Sequence, residues 1–254
     1  MRQRVAVLVA LVVACSGFTA ASRAQGQDVE KTWEAAQVYL PGKVFASAPG
    51  GIQESKPLPV VIYMHGCTGI DPRHDVRWAD FIKSLGFAVV LPDSMARPGR
   101  KPNCDPRTKS GGAFPQAHAM RQEEIAYALE QLRTAPWADA RNIYLMGHSE
   151  GGQAAARCRL GGFRGVIISG WTCTHARNPV FDGIHLPVET PILAMAFDRD
   201  AWRAGNPTEG SCASKFGDRP AARQLTFQGS DHGTYEQREA RDAVAKFLKD
   251  NRLE

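Results

Sequence analysis

The sequence predicts an α/β fold in which helices flank a mostly parallel central sheet. Short segments that are apolar at nearly every position, such as residues 59–64 and 87–91, are typical of strands buried on both faces. Segments with apolar residues at helical spacing alternate with these strands, which is the pattern of a parallel sheet covered by helices. A length of 254 residues, 43% of them hydrophobic, is enough for one such domain.

Each predicted element rests on a local pattern. The first helix is indicated by Trp78, Ile82 and Leu85, which recur on one helix face. Residues 94–112 are rich in proline, glycine, arginine and lysine, and predict a loop. The predicted strands cover residues 59–64, 87–91, 142–146, 165–169, 192–197 and 224–227, and the predicted helices cover residues 76–85, 117–133, 152–158 and 235–249. Functional groups in such sheets collect beyond the carboxyl ends of the strands, so a site is expected in the loops that follow them.

The N-terminus has the pattern of a secretory signal peptide. A short basic stretch precedes ten consecutive apolar residues, and small residues around Ala24 offer a cleavage site. The apolar run is too short to span a bilayer. We therefore expect residues 1–24 to be a signal peptide, residues 25–254 to form a single domain, and the mature protein to be periplasmic or secreted. A retained membrane anchor and a lipoprotein attached through Cys15 are the alternatives.

The charge pattern does not indicate a nucleic-acid-binding protein. The formal net charge is +5, but three arginines lie in the predicted signal peptide, and without them 28 basic residues face 26 acidic ones. No run of five or six basic residues remains, so the basic patch that binds a polyanion is missing. We expect a small-molecule partner, with no nucleic acid and no stable membrane insertion once the signal peptide is removed.

The cysteines predict disulfides rather than a metal site. Five of the six remain after removal of the predicted signal peptide, and they form no C-x-x-C pair and have no histidine at ligand spacing. In an oxidising compartment, two disulfides and one free thiol are expected. Loops that follow adjacent parallel strands meet at one edge of the sheet, which favours pairing of Cys67 with Cys104 and of Cys173 with Cys212, with Cys158 free.

A G-x-S-x-G motif follows the predicted strand over 142–146. The motif is Gly147-His148-Ser149-Glu150-Gly151, and a helix of small residues comes directly after it. The order of strand, sharp turn and helix is what this motif requires, because glycine on both sides of the serine lets the strained turn form. Ser149 is therefore the candidate nucleophile, and an ordinary glycine-rich turn is the alternative.

A serine hydroxyl needs a base and a group that orients the base. His232 lies between the strand over 224–227 and the last helix, where it can reach over the carboxyl edge of the sheet. Asp198 and Asp200 both follow the strand over 192–197; we favour Asp200 as the acid because it lies further into the loop. The remaining histidines are assigned to a strand-end loop, to the variable position of the motif, or to surface and capping roles: His65, His148, His74, His118, His175 and His185.

An acyl-transfer site also needs donors for the oxyanion of the tetrahedral intermediate. The backbone N–H of Glu150, which follows the candidate nucleophile, is one. The second is expected from the loop after the strand over 59–64, where the sequence is His65-Gly66-Cys67-Thr68-Gly69. The backbone N–H of Cys67 is the candidate there, and its sulfur is assigned to a disulfide.

Together, these motifs resemble the α/β-hydrolases of the dienelactone hydrolase family. The resemblance covers most of residues 58–240 and rests on the His-Gly-Cys-Thr-Gly loop, the strand end Leu-Pro-Asp-Ser at 91–94, the motif around Ser149, the acidic loop at 198–200, and Asp-His-Gly at 231–233. It implies a sheet of about eight strands and a triad of Ser149, Asp200 and His232. Dienelactone hydrolases in the strict sense carry a cysteine nucleophile, so the serine favours a general carboxylesterase.

The resulting hypothesis is an exported serine carboxylic-ester hydrolase that acts through an acyl-enzyme on a small-molecule ester, with no metal or organic cofactor. A peptidase or amidase of the same fold, and a catalytically silent binding protein on a hydrolase scaffold, are the alternatives. Five residues in loops after strands are candidates for lining the pocket: Arg97, Arg100, Trp171, His175 and Trp202.

Overall fold

The computed structural model describes residues 28–254, which alternate between strands and helices as expected. The strands are β1 (Gln37–Tyr39), β2 (Leu58–Met64), β3 (Ala88–Leu91), β4 (Cys104–Asp105), β5 (Ser110–Gly111), β6 (Ala138–His148), β7 (Val166–Ser169), β8 (Ile192–Phe197) and β9 (Ala222–Phe227). The helices are α1 (28–34), α2 (Asp75–Ser84), α3 (Pro115–Thr134), α4 (Glu150–Ala156) and α5 (Arg238–Asp250). The predicted signal peptide and Cys15 lie outside the described residues.

Seven of these strands form one sheet, in the order β1-β3-β2-β6-β7-β8-β9. Neighbours from β3 to β9 pair in parallel, and β1 pairs antiparallel with β3 at the edge. The predicted fold class, in which helices flank a mostly parallel central sheet, is thus confirmed, and the sheet has seven strands in the described residues where about eight were expected. On the other side of β1, Val38 forms an isolated antiparallel bridge with Ser47, which does not extend into a further strand.

Helices cover both faces of the sheet. Along β2, the alternation of side chains places Val60 and Ile62 in one core and Val61 and Tyr63 in the other, all fully buried. The first core is covered by α3 and α4, and the second by α2 and α5. The continuous apolar runs in the sequence therefore reflect strands that are buried on both sides.

The predicted disulfide pairing is confirmed. Cys67 is bonded to Cys104, with Cα atoms 5.9 Å apart, and Cys173 is bonded to Cys212, with Cα atoms 4.7 Å apart. Cys158 is free and buried, and burial raises the pKa of its thiol to about 11. The first disulfide joins the loop after β2 to the short hairpin of β4 and β5, which interrupts the predicted loop over 94–112. None of the helices in residues 28–254 is long and apolar enough to span a membrane.

Candidate active site

Ser149 occupies a tight turn between β6 and α4. Its backbone has φ 56° and ψ −115°, a conformation that residues with a side chain rarely adopt. Neighbouring chain comes very close: a Cβ atom added at Gly147 would lie 2.1 Å from the carbonyl oxygen of Gly151, and one added at Gly151 would lie 1.9 Å from that of Met64. Both glycines of the motif are therefore required by close contacts, and the turn presents the serine above the sheet.

His232 and Asp200 lie together at the same edge of the sheet. The Nδ1 atom of His232 is 2.6 Å from Oδ2 of Asp200, whose side chain is only 1% exposed. The other carboxylate oxygen of Asp200 accepts the backbone N–H of Trp202 at 2.9 Å. Asp198, in contrast, is exposed and accepts the backbone N–H of Gly229 at 2.8 Å. Asp200 is thus the carboxylate beside the imidazole.

The environment of His232 favours a neutral ring. Burial is the main cause that lowers its pKa, and the nearby guanidinium of Arg203 acts in the same direction. The hydrogen bond to Asp200 opposes this effect. Within residues 28–254, the buried Nε2 atom of His232 has no hydrogen-bond partner. This nitrogen is therefore free to act as a base toward a group in the pocket.

The loop after β2 lies directly against the serine. A Cβ atom added at Gly66 would lie 3.7 Å from Cβ of Ser149. In the described part of the chain, neither the backbone N–H of Cys67 nor that of Glu150 donates a hydrogen bond to another protein group. Both N–H groups therefore remain candidate donors to an oxyanion at the serine.

A buried ion cluster supports this loop, and the sequence reasoning missed it. The carboxylate of Glu150 accepts hydrogen bonds from Arg100, from Nε of Arg121 at 3.0 Å and from Nδ2 of Asn103 at 2.7 Å. Arg121 also donates to the carbonyl oxygen of His65 at 2.7 Å, and its side chain is fully buried. The cluster joins the turn around the serine to the loop after β2. Arg121 and Glu124 fall on the buried face of α3, beside Ile125, and charged residues on an apolar helix face are a sequence signal for such a cluster.

The site opens into a pocket of about 390 Å³. Of the five residues predicted to line it, only Trp202 does so. Arg97 and Arg100 are buried in ion pairs with Glu123 and Glu150, and Trp171 is 1% exposed in the core. His175 packs beside Phe181, away from the pocket. Within residues 28–254, no group of three or more histidine, cysteine or acidic side chains is arranged to hold a metal ion.

Three imidazole rings form one wall of the pocket. The rings of His74 and His148 have their centroids 3.9 Å apart, and those of His148 and His232 are 4.8 Å apart. The Nδ1 atom of His148 lies 3.3 Å from the hydroxyl of Ser169, and burial lowers the pKa of His148 well below its ordinary value. His74 and His148 were assigned no part in the site from sequence. The first precedes a helix and the second occupies a variable position, so no local pattern marks either one.

Solved structures of esterases share this fold. A hyperthermophilic esterase from the archaeon Pyrobaculum calidifontis is 15% identical, with 90% of each chain covered and a TM-score of 0.57. An acetyl xylan esterase from Paenibacillus sp. R4 is 15% identical, with 90% of this chain and 92% of that chain covered and a TM-score of 0.57. Est1E from Butyrivibrio proteoclasticus, solved with ferulic acid bound, is 15% identical over 85% of this chain and 94% of that chain, with a TM-score of 0.57.

At this level of identity, the likeness establishes the fold alone. Comparison with curated proteins finds no match. The family follows from the sequence: the model of the dienelactone hydrolase family matches residues 47–251, a range that contains Ser149, Asp200 and His232. Because this match spans most of the chain, the protein belongs to the dienelactone hydrolase family and is a carboxylic ester hydrolase.

Proposed function

We propose that this ester hydrolase is an exported serine enzyme in which Ser149, His232 and Asp200 act as a catalytic triad. The observation that supports it best is the convergence of the three groups from distant parts of the sequence. Ser149 and His232 line the same pocket, and Oδ2 of Asp200 lies 2.6 Å from Nδ1 of His232. This is the arrangement that activates a serine hydroxyl for attack on an ester.

Acylation begins with proton transfer from Ser149 to His232. Asp200 accepts the hydrogen bond of the Nδ1–H group, so Nε2 is the basic nitrogen. As Oγ of Ser149 forms a bond to the ester carbonyl carbon, Nε2 takes the hydroxyl proton, and Asp200 stabilises the imidazolium. The backbone N–H groups of Cys67 and Glu150 donate to the developing oxyanion. The carbonyl re-forms as the bond to the leaving alcohol breaks, and His232 returns the proton to that alcohol.

Deacylation repeats these steps with water. His232 removes a proton from a water molecule as the oxygen attacks the acyl carbonyl, and the same two N–H groups stabilise the second oxyanion. Collapse of this intermediate releases the carboxylic acid and returns the proton to Ser149. Within residues 28–254, Nε2 of His232 has no hydrogen-bond partner; we expect a hydrogen bond from the hydroxyl of Ser149 to form when substrate binds.

Export is part of the proposal. Residues 1–24 act as the signal peptide, and residues 25–254 form the mature single domain. Two disulfides are compatible with an oxidising compartment such as the periplasm or the extracellular space. Expression of the full-length chain followed by N-terminal sequencing of the exported protein tests this part. A mature N-terminus at or near Gln25 is expected, and retention of the first 24 residues would contradict it.

The catalytic part is tested with p-nitrophenyl esters of several acyl lengths. Ser149→Ala is expected to lower kcat/KM by about 10³-fold or more, whereas Ser84→Ala, which changes an exposed serine on α2, should have no effect. A fluorophosphonate probe should label wild type at Ser149 only. Faster cleavage of the matching p-nitroanilides would favour the amidase alternative, and silence of wild type on every ester would favour the binding-protein alternative.

A further inference from the structure

A second pair of histidine and carboxylate faces the pocket. The Nδ1 atom of His74 is 3.0 Å from Oδ1 of Asp75, and the side chain of Asp75 is 1% exposed. The hydroxyl of Tyr63 donates to the same oxygen at 3.0 Å, and the backbone N–H of Asp71 donates to Oδ2 at 2.9 Å. Asp75 is thus a buried carboxylate held by three donors, and it holds the imidazole of His74 in one orientation.

This arrangement presents the other ring nitrogen of His74. A carboxylate only accepts hydrogen bonds, so the Nδ1–H group donates to Asp75 and Nε2 of the neutral ring carries a lone pair. Within the described residues, Nε2 of His74 is buried and has no hydrogen-bond partner. His74 precedes α2, but its side chain makes no capping hydrogen bond, so helix capping does not explain why a histidine occupies this position. A buried polar atom without a hydrogen-bond partner costs free energy. In native proteins such an atom often has a functional role, for example as the partner of a ligand.

His74 belongs to the pocket wall, where its side chain is 12% exposed. It lines the pocket together with Ser149 and His232, and its ring packs against that of His148. A Cβ atom added at Gly233 would lie 2.8 Å from Cδ2 of His74. The ring of His74 therefore lies beside the loop that carries His232, on the same wall of the pocket.

The rest of the lining favours a neutral polar ligand. Besides Asp75, three carboxylates and two basic side chains line the pocket: Asp71, Asp231, Glu236, Arg73 and Lys109. Because the charges do not sum to a positive excess, an anionic substrate is disfavoured, and a rim of both signs suits polar groups better than a long alkyl chain. Trp202 and Tyr235 add aromatic surface.

We propose that His74 determines substrate specificity, accepting through Nε2 a hydrogen bond from a hydroxyl group of a neutral ester substrate. This inference rests on the proposed function, because it assigns the substrate class of the same site. Such a hydroxyl belongs either to the acyl chain or to the alcohol part of the ester. A site built to bind a hydroxyl discriminates against the analogue that lacks it, because the polar group of the site is then left unpaired.

The experiment compares esters in pairs that differ by hydroxyl groups. Ethyl 3-hydroxybutyrate and ethyl butyrate test the acyl side, and glycerol monobutyrate and propyl butyrate test the alcohol side. In wild type, kcat/KM should favour the hydroxylated member of one pair by about tenfold or more. In His74→Phe, which keeps an aromatic ring against His148, this preference should fall to about one, mainly through loss on the hydroxylated ester.

Two further variants keep the result clear. His175→Phe changes a histidine outside the pocket and should retain the wild-type preference. Gly233→Ala displaces the ring of His74 by its added methyl group and should reduce the preference, which gives a second route if His74→Phe does not fold. Equal rates of wild type within both pairs, or an unchanged preference in His74→Phe, would overturn the inference about His74. Absence of all ester hydrolysis by wild type would contradict the proposed function instead.

Discussion

The two histidine–carboxylate pairs of the pocket are alike in local geometry and differ in how the chain builds them. In each pair a buried carboxylate, 1% exposed, holds Nδ1 of the ring, and in each the buried Nε2 atom has no partner within the described residues. Asp200 and His232 are 32 residues apart and meet because β8 and β9 are adjacent in the sheet. His74 and Asp75 are consecutive residues at the start of α2.

The two pairs differ in the hydrogen bonds that surround their carboxylates. Asp200 accepts one further hydrogen bond, from the backbone of Trp202, whereas Asp75 is also held by Tyr63 and by the backbone of Asp71. The second carboxylate is therefore more firmly built into the fold. We expect loss of Asp200 to affect mainly turnover and loss of Asp75 to affect mainly stability and substrate preference.

The largest effect is expected at Asp200. Asp200→Asn should lower kcat by about 10⁴-fold with little change in KM, because the imidazole loses the group that fixes its tautomer and stabilises its charge. Asp198→Asn is the matched control and should cost less than about tenfold in kcat. Steady-state kinetics on a p-nitrophenyl ester measure both. A larger loss at Asp198 than at Asp200 would reverse the assignment.

Each histidine–carboxylate pair has a disulfide nearby in the chain. Cys67 lies in the loop after β2 that leads to His74, and Cys212 lies in the segment that follows Asp200. Each disulfide should contribute about 2–4 kcal/mol to the free energy of unfolding. Because both restrain loops at the pocket, titration with reductant should abolish activity before the far-ultraviolet circular dichroism signal is lost. Simultaneous loss of the two signals would contradict this expectation.

A smaller effect is expected at Asp75. Asp75→Asn replaces a buried carboxylate that accepts three hydrogen bonds, and should lower the free energy of unfolding by about 1–3 kcal/mol. Its kcat on a plain alkyl ester should fall far less than that of Asp200→Asn. Urea unfolding followed by tryptophan fluorescence gives the stability, and kinetics on the same samples give kcat. Equal losses of kcat in the two variants would mean that both pairs take part in proton transfer.

The smallest effect concerns the pH dependence. The proposed base acts as the neutral ring, and burial together with Arg203 lowers the pKa of His232. Activity should therefore persist below pH 6.5, the ordinary imidazole pKa, and fall only as the pH drops through the lowered value. Removing the positive charge in Arg203→Met should move this acid limb to higher pH. A profile of kcat/KM against pH measures the shift, and movement to lower pH would contradict it.

Several site features could be read from the sequence because their constraints are local. The tight turn around Ser149 needs glycine at two fixed positions, and the strand before it and the helix after it are visible in the pattern of apolar residues. The disulfide partners could be predicted because parallel strands bring the loops at their carboxyl ends to one edge. The same reasoning failed for Arg97 and Arg100: a loop arginine looks the same whether it faces a pocket or a buried carboxylate.

Local patterns in the sequence were enough to predict the order of the elements, the fold class and several of the residues at the carboxyl edge of the sheet. These follow from periodicity and from steric requirements that act over a few residues. The three-dimensional structure was needed to show that Asp200 rather than Asp198 lies against His232, that Arg121 binds the carboxylate of Glu150, and that His74 belongs to the pocket wall. Each of these contacts depends on how loops that are far apart in the sequence approach one another in space, and short-range sequence patterns carry no information about such contacts.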